Sequence, residues 1–283
     1  MKTTVTSSNK EVIIGDGQPT TLIGERINPT GRKKFAEALK TGNIQLICDE
    51  AVAQAEAGAD IIDVNVSTVG VDEVAVLPEV VKEIMKAIDI PLCLDCANPK
   101  ALEAALKIYK GKPLINSVTG EEHSLKSIIP LAKEYNAALV GLVQDDHGVP
   151  DNAEKRLAIA LNIIEQAEKA GIQRGDIIID CLALAAGADS KACAVTLETI
   201  SRVRSTIGVN TVVAGSNVSF GLPDRQLLNN SFVTLTINAG INCLILDVSK
   251  IRPAVLAADL LLNHDSYGKR YIKDFRNRNA NKA

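Results

Sequence analysis

Glu25, Asp63, Asn65, Asp95, Asn116, Gln144, Asp145, Asp180, Ser216, Asn217 and Asp247 share one local setting. Each stands at or just past the end of a short aliphatic run. They are carboxylates and amides with one hydroxyl, and Lys, Arg and His are missing from these positions. Taken singly, any of them reads as a helix cap or a turn residue. A fold that gathered the run ends in one place would make them a ring of acceptors and mixed donor–acceptors. The ring lacks a nucleophile–base pair for acyl transfer. Amides alternate with the acids and no His joins them, so no metal site is expected. Such a ring suits a flat, neutral heterocycle carrying N–H donors and a carbonyl, for instance an aminopyrimidinone.

The stretch Thr211–Pro223, TVVAGSNVSFGLP, shows how one such end is built. A β-branched run, Thr211 to Val213, reads as a buried strand cut short by Ala214-Gly215-Ser216-Asn217. Gly215 admits close backbone approach. Ser216 and Asn217 then place two neutral hydrogen-bonding groups at the strand end. Pro223 and Asp224 suit the start of the helix that follows.

The elements that position these residues alternate throughout the chain. Strands are expected at Thr21–Gly24, Asp60–Val66, Pro91–Asp95, Pro113–Asn116, Ala137–Gln144, Asp176–Asp180, Thr211–Ala214 and Ile241–Asp247. Helical periodicity falls between them, at Phe35–Ala57 (with a break near Thr41-Gly42-Asn43), Val71–Ile88, Pro99–Lys110, Ser124–Tyr135, Asn152–Ala170, Lys191–Thr206, Arg225–Ala239 and Pro253–Asn263. Near-continuous aliphatic strands separated by amphipathic helices are the pattern of a parallel sheet covered on both faces. Eight such units predict one (β/α)8 TIM barrel, in which the strand C-termini meet at a single mouth. The expected organisation is a loose polar leader over 1–20, the barrel over 21–268 and a basic tail over 269–283. In the tail, a short fraying helix (Tyr271–Arg276) and a solvated surface are expected.

Composition fits this reading and excludes others. The 283 residues are 46% hydrophobic and only 3% aromatic, with no Trp, so the core is aliphatic. A net charge of −3 and few aromatic rings exclude a nucleic-acid surface. No apolar run is long enough to span a membrane, and the N-terminus lacks the apolar segment of a signal peptide, so a cytoplasmic protein is expected. The six cysteines are scattered. Cys93 and Cys96 form a CxxC with no second pair or nearby His, and read as reduced structural thiols.

In order and spacing, IGERIN (Ile23–Asn28), IIDVNV (Ile61–Val66), LCLDCAN (Leu92–Asn98), LINS (Leu114–Ser117), IIID (Ile177–Asp180) and GSNVSFGLP (Gly215–Pro223) resemble the pterin-binding methyltransferases. These are the methyltetrahydrofolate:corrinoid protein methyltransferases and the folate domain of cobalamin-dependent methionine synthase. The resemblance runs from about Leu22 to Asn263. It implies a pterin-binding barrel that moves a methyl group between N5 of tetrahydrofolate and the cobalt of a corrinoid (cobalamin) protein, in either direction. It implies that Asp95, Asn116 and Asp180 hold the pterin and that Asn217 reaches N5. Asp63, Asn65 and Glu25 match further positions around the pocket, Gly215 and Ser216 lie beside the pterin, and Arg225 lies near it. A homodimer is also implied. Cys181 stands where family members often carry Pro, and the shortest members lack the leader before Leu22.

The chemistry of the residues agrees with this resemblance. A methyl on a tertiary amine leaves readily only if the nitrogen gains a proton or a strong hydrogen bond as the bond breaks. Asn217 suits a donor whose hydrogen bond strengthens in the transition state. The proton itself is expected from solvent, through a network that includes Asp95. The segment Asp145-Asp146-His147-Gly148-Val149-Pro150 comes near the cobalamin-binding pattern D-x-H-x-x-G, but Pro150 stands where Gly is needed. The corrinoid is therefore expected on a separate partner protein, and no stretch is left for a homocysteine domain. The rival within this fold is a dihydropteroate synthase. It calls for a late basic cluster, whereas only Lys250 and Arg252 lie near the last strand. A phosphate-binding barrel using the Gly215–Ser216 amides is disfavoured by the acidic strand ends. A folate-binding subunit without activity is disfavoured because Asp95, Asn116, Asp180 and Asn217 stand together.

Overall fold

The computed structural model describes residues 1–280. Eight strands close into a parallel barrel: β3 (Thr21–Ile27), β4 (Ile61–Val64), β5 (Leu92–Asp95), β6 (Leu114–Thr119), β7 (Ala138–Leu142), β8 (Ile177–Asp180), β9 (Asn210–Ala214) and β10 (Cys243–Leu246), with β10 pairing back onto β3. They are preceded by a hairpin, β1 (Lys2–Thr6) and β2 (Glu11–Gly15). The helices are α1 (Lys33–Thr41), α2 (Ile44–Glu56), α3 (Glu73–Ala87), α4 (Pro99–Ile108), α5 (Glu122–Glu134), α6 (Ala153–Lys169), α7 (Ala192–Arg202), α8 (Arg225–Asn238), α9 (Val248–Leu261) and α10 (Lys269–Ala280).

Two apolar layers follow from the period of two in each strand. Leu22, Ile62, Leu92, Leu94, Ile115, Leu139, Ile177, Ile179, Val213 and Leu244 join the large cluster between sheet and helices. Their alternates, Ile23, Ile61, Cys93, Leu114, Ala138, Val140, Ile178, Val212, Cys243 and Ile245, fill the barrel interior. Among them only Cys93, Cys243 and the small Ala138 depart from branched aliphatics, so the interior packs tightly without aromatic rings.

Residues 2–15 are not the loose leader expected from their polarity. They form an antiparallel hairpin, with Lys2 opposite Gly15 and Thr6 opposite Glu11. Val5 and Ile14 are fully buried in the interior cluster, so the hairpin plugs one end of the barrel. Polar ties hold it there. The Asn210 amide donates to Thr3 Oγ1 and to the Ile14 carbonyl, both at 3.0 Å, and the Tyr109 hydroxyl donates to the Thr6 carbonyl at 3.0 Å. Gly15, at φ 132°, lies so close to the Met1 carbonyl that a side chain would collide with it. Only two buried apolar residues in this stretch mark the plug, which is why polarity hides it.

Other differences are local. The expected first helix is two, α1 and α2. They are separated at Gly42 in the left-handed region and at Asn43, whose side chain accepts from Leu46 N. Helix α7 ends in a π turn over Val203–Ile207 before Gly208. Helix α9 starts at Val248, with Pro253 inside it rather than at its start, because the Asp247 carbonyl already accepts from Lys250 and Ile251. The basic tail, up to Ala280, is not a short fraying helix. It is α10, and it is docked. Asp265 accepts the backbone N–H groups of Arg270 and Tyr271, and buried Asp274 pairs with Arg252 of α9 and with Arg278. The last three residues of the expected tail lie outside the described ones.

Candidate active site

The same alternation that fills the interior builds the site. On six of the eight strands, two residues beyond the last inward apolar side chain, at the C-terminal end of the strand, comes a polar one on the same face. Ile23 is followed by Glu25, Ile61 by Asp63 and then Asn65, Cys93 by Asp95, Leu114 by Asn116, Ile178 by Asp180 and Ile245 by Asp247. The hairpin closes the opposite end, so these side chains ring the open mouth.

They bond across strands. The Asn65 amide donates to Asp95 Oδ2 at 2.9 Å, and the Asn116 amide donates to Asp63 Oδ1 at 3.3 Å. Asp95 and Asn116 stand opposite each other in the β5–β6 register. The Ser216 hydroxyl donates to Glu25 Oε2 at 2.9 Å. Asp180 Oδ1 accepts the backbone N–H of Leu182 at 2.8 Å. Gly215 donates its N–H to the Ile245 carbonyl at 2.9 Å, and a Cβ there would crowd Val233. Asn217 begins a single 3-10 turn directly after Ser216 and is exposed at the mouth. Arg225, exposed at the start of α8, braces this loop. Its guanidinium donates to Ser219 Oγ and to the Ser216 carbonyl, each at 3.0 Å, and lies 5.7 Å from the Phe220 ring centre.

The carboxylates are held away from ordinary behaviour by burial and by one another. Burial is the main cause for Asp63, and the neighbouring Asp95 charge adds to it, so its carboxyl is pushed well above the usual range. Burial also raises Asp95, against the pull of the Asn65 amide. Asp180 is raised to about 6 by burial, offset in part by the Leu182 N–H and the Arg156 charge. Glu25 is raised to about 6 by burial, which outweighs the Ser216 hydrogen bond, while the Asp247 charge adds to the rise. Asp247 differs. Burial raises it, but the Ser249 hydroxyl, Arg26 and Lys250 overcome that, and its net shift is downward. Acids whose midpoints are raised toward neutrality, beside one whose midpoint is lowered, make a site able to accept from ring N–H groups and to take up or release protons.

Two strand-end residues do other work. Gln144 donates to Glu121 at 3.4 Å, and Asp145 closes a tight turn with Gly148. That turn carries exposed His147 beside a cleft of about 660 Å³ lined by Asp146, Pro150, Lys155 and Ile159. Two buried polar side chains went unseen in the sequence. Gln54 of α2 donates to Asp247 at 3.5 Å and accepts from Val248 N at 3.2 Å. Arg156 of α6 donates to carbonyls of two mouth loops. Each interrupts an otherwise apolar helix face, and that is the sequence signal for both.

The profile of the pterin binding enzyme family matches residues 24–247, from within β3 through Asp247. The chain belongs to this family. Within it, the pterin-binding barrel is similar to the methylcorrinoid:tetrahydrofolate methyltransferase of Eubacterium limosum. That relative is 31% identical over 263 residues, covering 90% of this chain and 96% of its own. The barrel is also similar to methionine synthase of Mycobacterium leprae, at 32% identity over 245 residues. That match covers 82% of this chain, which spans only 20% of the longer protein. Among solved structures, the dihydropteroate synthase of Yersinia pestis matches with a TM-score of 0.69 at 15% identity, covering 92% of this chain and 99% of that one. The synthase of Stenotrophomonas maltophilia matches at 0.71 and 15%, covering 92% and 98%. At that identity the likeness is one of fold.

Proposed function

We propose that this pterin-binding barrel is a methyltransferase moving a methyl group between N5 of tetrahydrofolate and the cobalt of a corrinoid protein. The observation that carries the reading is the mouth itself. Asp95, Asn116 and Asp180 converge there from three strands, and Asn217 follows on the adjoining loop. The similarity to the Eubacterium limosum methyltransferase along nearly the whole of both chains supports it.

In this reading Asp95 and Asp180 accept from the pterin ring N–H groups, and Asn116 orients the ring between them. Asp63 and Asn65 hold Asn116 and Asp95 in place through the bonds already described. Gly215 lets the β9 loop approach the ring closely. Asn217 donates to N5 as the carbon–nitrogen bond breaks, stabilising the electron pair left behind. Water brings the proton, through a network that includes Asp95. The corrinoid, carried by a partner protein, supplies the strongly nucleophilic cobalt that takes the methyl group, or returns it in the reverse sense. Residues 21–268 are the pterin-binding unit, supported by the hairpin before it and α10 after it. The family likeness also supports a homodimer, and a cytoplasmic setting is part of the same proposal. No described helix is long and apolar enough to cross a membrane.

Mixing the purified protein with Co(I) cobalamin and methyltetrahydrofolate tests the proposal. Formation of methylcobalamin, followed spectroscopically, or its loss with tetrahydrofolate, is the expected result. Pterin binding with no transfer to free cobalamin or to a corrinoid protein would favour the synthase chemistry. No pterin binding would discard the reading.

A further inference from the structure

Arg156 is 1% exposed, the largest fully buried side chain among the described residues. It belongs to the inner face of α6, beside Ala153, Ile159, Ala160 and Ile163. A buried guanidinium is costly unless its donors are met. Here they are met by backbone carbonyls. Nε donates to Pro150 O at 3.0 Å, and Nη1 donates to Cys181 O at 3.0 Å and to Leu182 O at 2.7 Å. The first acceptor lies in the β7–α6 loop and the other two in the β8–α7 loop, so one side chain ties two walls of the mouth together.

Leu182 is the pivot. It sits at φ 56°, a left-handed conformation that a leucine adopts only when its surroundings impose it. Its carbonyl accepts from Arg156 and from Thr196 Oγ1, the latter at 2.9 Å. Its N–H, turned the other way, donates to Asp180 Oδ1 at 2.8 Å. We infer that Arg156 is a positioning residue for the pterin site. By gripping the Cys181 and Leu182 carbonyls it holds Leu182 in the conformation that aims the Asp180 carboxylate into the mouth. This inference rests on the pterin reading of the site.

The charge of Arg156 acts in the same direction. Burial drives Asp180 up to about 6, and the guanidinium limits that rise. The other groups facing Asp180 are Asp95 of β5, which opposes its ionisation, and the thiols Cys181 and Cys243; Arg156 itself also faces Asp189. Both thiols are pushed up by burial and stay protonated, so Arg156 is the cation of this set.

Tetrahydrofolate binding, read by fluorescence from mildly alkaline to acid pH with thermal unfolding alongside, tests the inference. Arg156→Met is expected to raise Kd about tenfold at neutral pH, the loss of a buried charge-assisted hydrogen bond. It should also shift the acid limb of binding upward, since Asp180 then takes its proton earlier. Arg156→Lys keeps the charge but not the planar fork. It should return the limb toward its wild-type position while affinity stays weakened. Thr196→Val frees the same carbonyl without touching the charge, and should raise Kd with the limb in place. In an Asp180→Asn background, Arg156→Lys should leave Kd unchanged. Folded Arg156 variants with wild-type Kd and limb would overturn the inference. Where Arg156→Met does not fold, wild-type binding by both Arg156→Lys and Thr196→Val would overturn it. A wild-type protein that binds no tetrahydrofolate would instead overturn the pterin reading.

Discussion

The Ser216 hydroxyl donates to Glu25 Oε2 at 2.9 Å, joining residues 191 positions apart in the chain. In the barrel β10 lies between β9 and β3, so this bond passes across the end of β10, close to Asp247. It links the loop that presents Asn217 to a carboxyl that burial drives up to about 6. The bond stabilises the ionised form of Glu25, and it fixes the backbone from which Asn217 projects.

Removing that donor should be visible in Glu25 itself. In Ser216→Ala the carboxyl loses its main opposing hydrogen bond, and its midpoint should rise above about 6 by about half a pH unit or more. Carbon-detected titration of the Glu25 carboxyl measures this. An unmoved midpoint would mean that the hydroxyl does not bond to Glu25 in solution.

Asn217→Ala should separate chemistry from folding. The residue is exposed, so thermal unfolding should change by no more than about 1–2 °C, as expected for a surface site. The rate of methyl transfer should fall by about a hundredfold or more, the effect of losing one donor aimed at developing charge. Single-turnover formation of methylcobalamin measures the rate, and an unchanged rate removes Asn217 from the mechanism.

Asp180 predicts opposite pH responses for binding and for stability. Its folded-state midpoint of about 6 lies above the ordinary 3.8, so the buried carboxylate destabilises the ligand-free fold once ionised. Its contribution to stability is fully present below about 4 and is lost as pH rises through about 6. Asp180→Asn should therefore raise Tm near neutral pH, by up to about 5 °C if the whole of roughly 3 kcal/mol is recovered. The same variant should weaken tetrahydrofolate binding by about tenfold or more, because an amide accepts less strongly than a carboxylate. Calorimetry and equilibrium binding on one preparation check both signs.

The hairpin predicts the reverse separation. Ile14 is fully buried in the interior cluster at the closed end of the barrel, away from the mouth. Ile14→Ala should cost about 2–4 kcal/mol of stability. Tetrahydrofolate affinity at a temperature where the variant stays folded should be unchanged. A large loss of affinity would show that the plug also shapes the mouth.

The barrel was legible in the sequence because strand and helix periods alternate without a break, and because each strand run ends in a polar residue. Asp63, Asp95, Asn116 and Asp180 stood out for that reason, since a period of two puts them on the same face as the apolar residue two positions earlier. Arg156 and Gln54 did not stand out. Each looks like a flaw in an amphipathic helix until the carbonyls and carboxylates it meets are known. The hairpin and α10 are hidden in the sequence for a related reason. Val5 and Ile14 are too few to mark a core segment, and the charges of the tail gave no hint that Asp274 is buried between Arg252 and Arg278.

By itself, then, the sequence determined the eightfold alternation, the aliphatic interior and the polar ring at the strand ends, since these depend on spacing within single segments. The tertiary structure alone decided which members of the ring bond to one another: Asn65 to Asp95, Asn116 to Asp63 and Ser216 to Glu25. It also decided that Leu182 turns left-handed under the grip of Arg156, and that the N-terminal residues seal the barrel. Those features depend on barrel closure, which brings together groups that chain spacing leaves tens to hundreds of residues apart, and on the low-polarity setting that makes each buried hydrogen bond decisive.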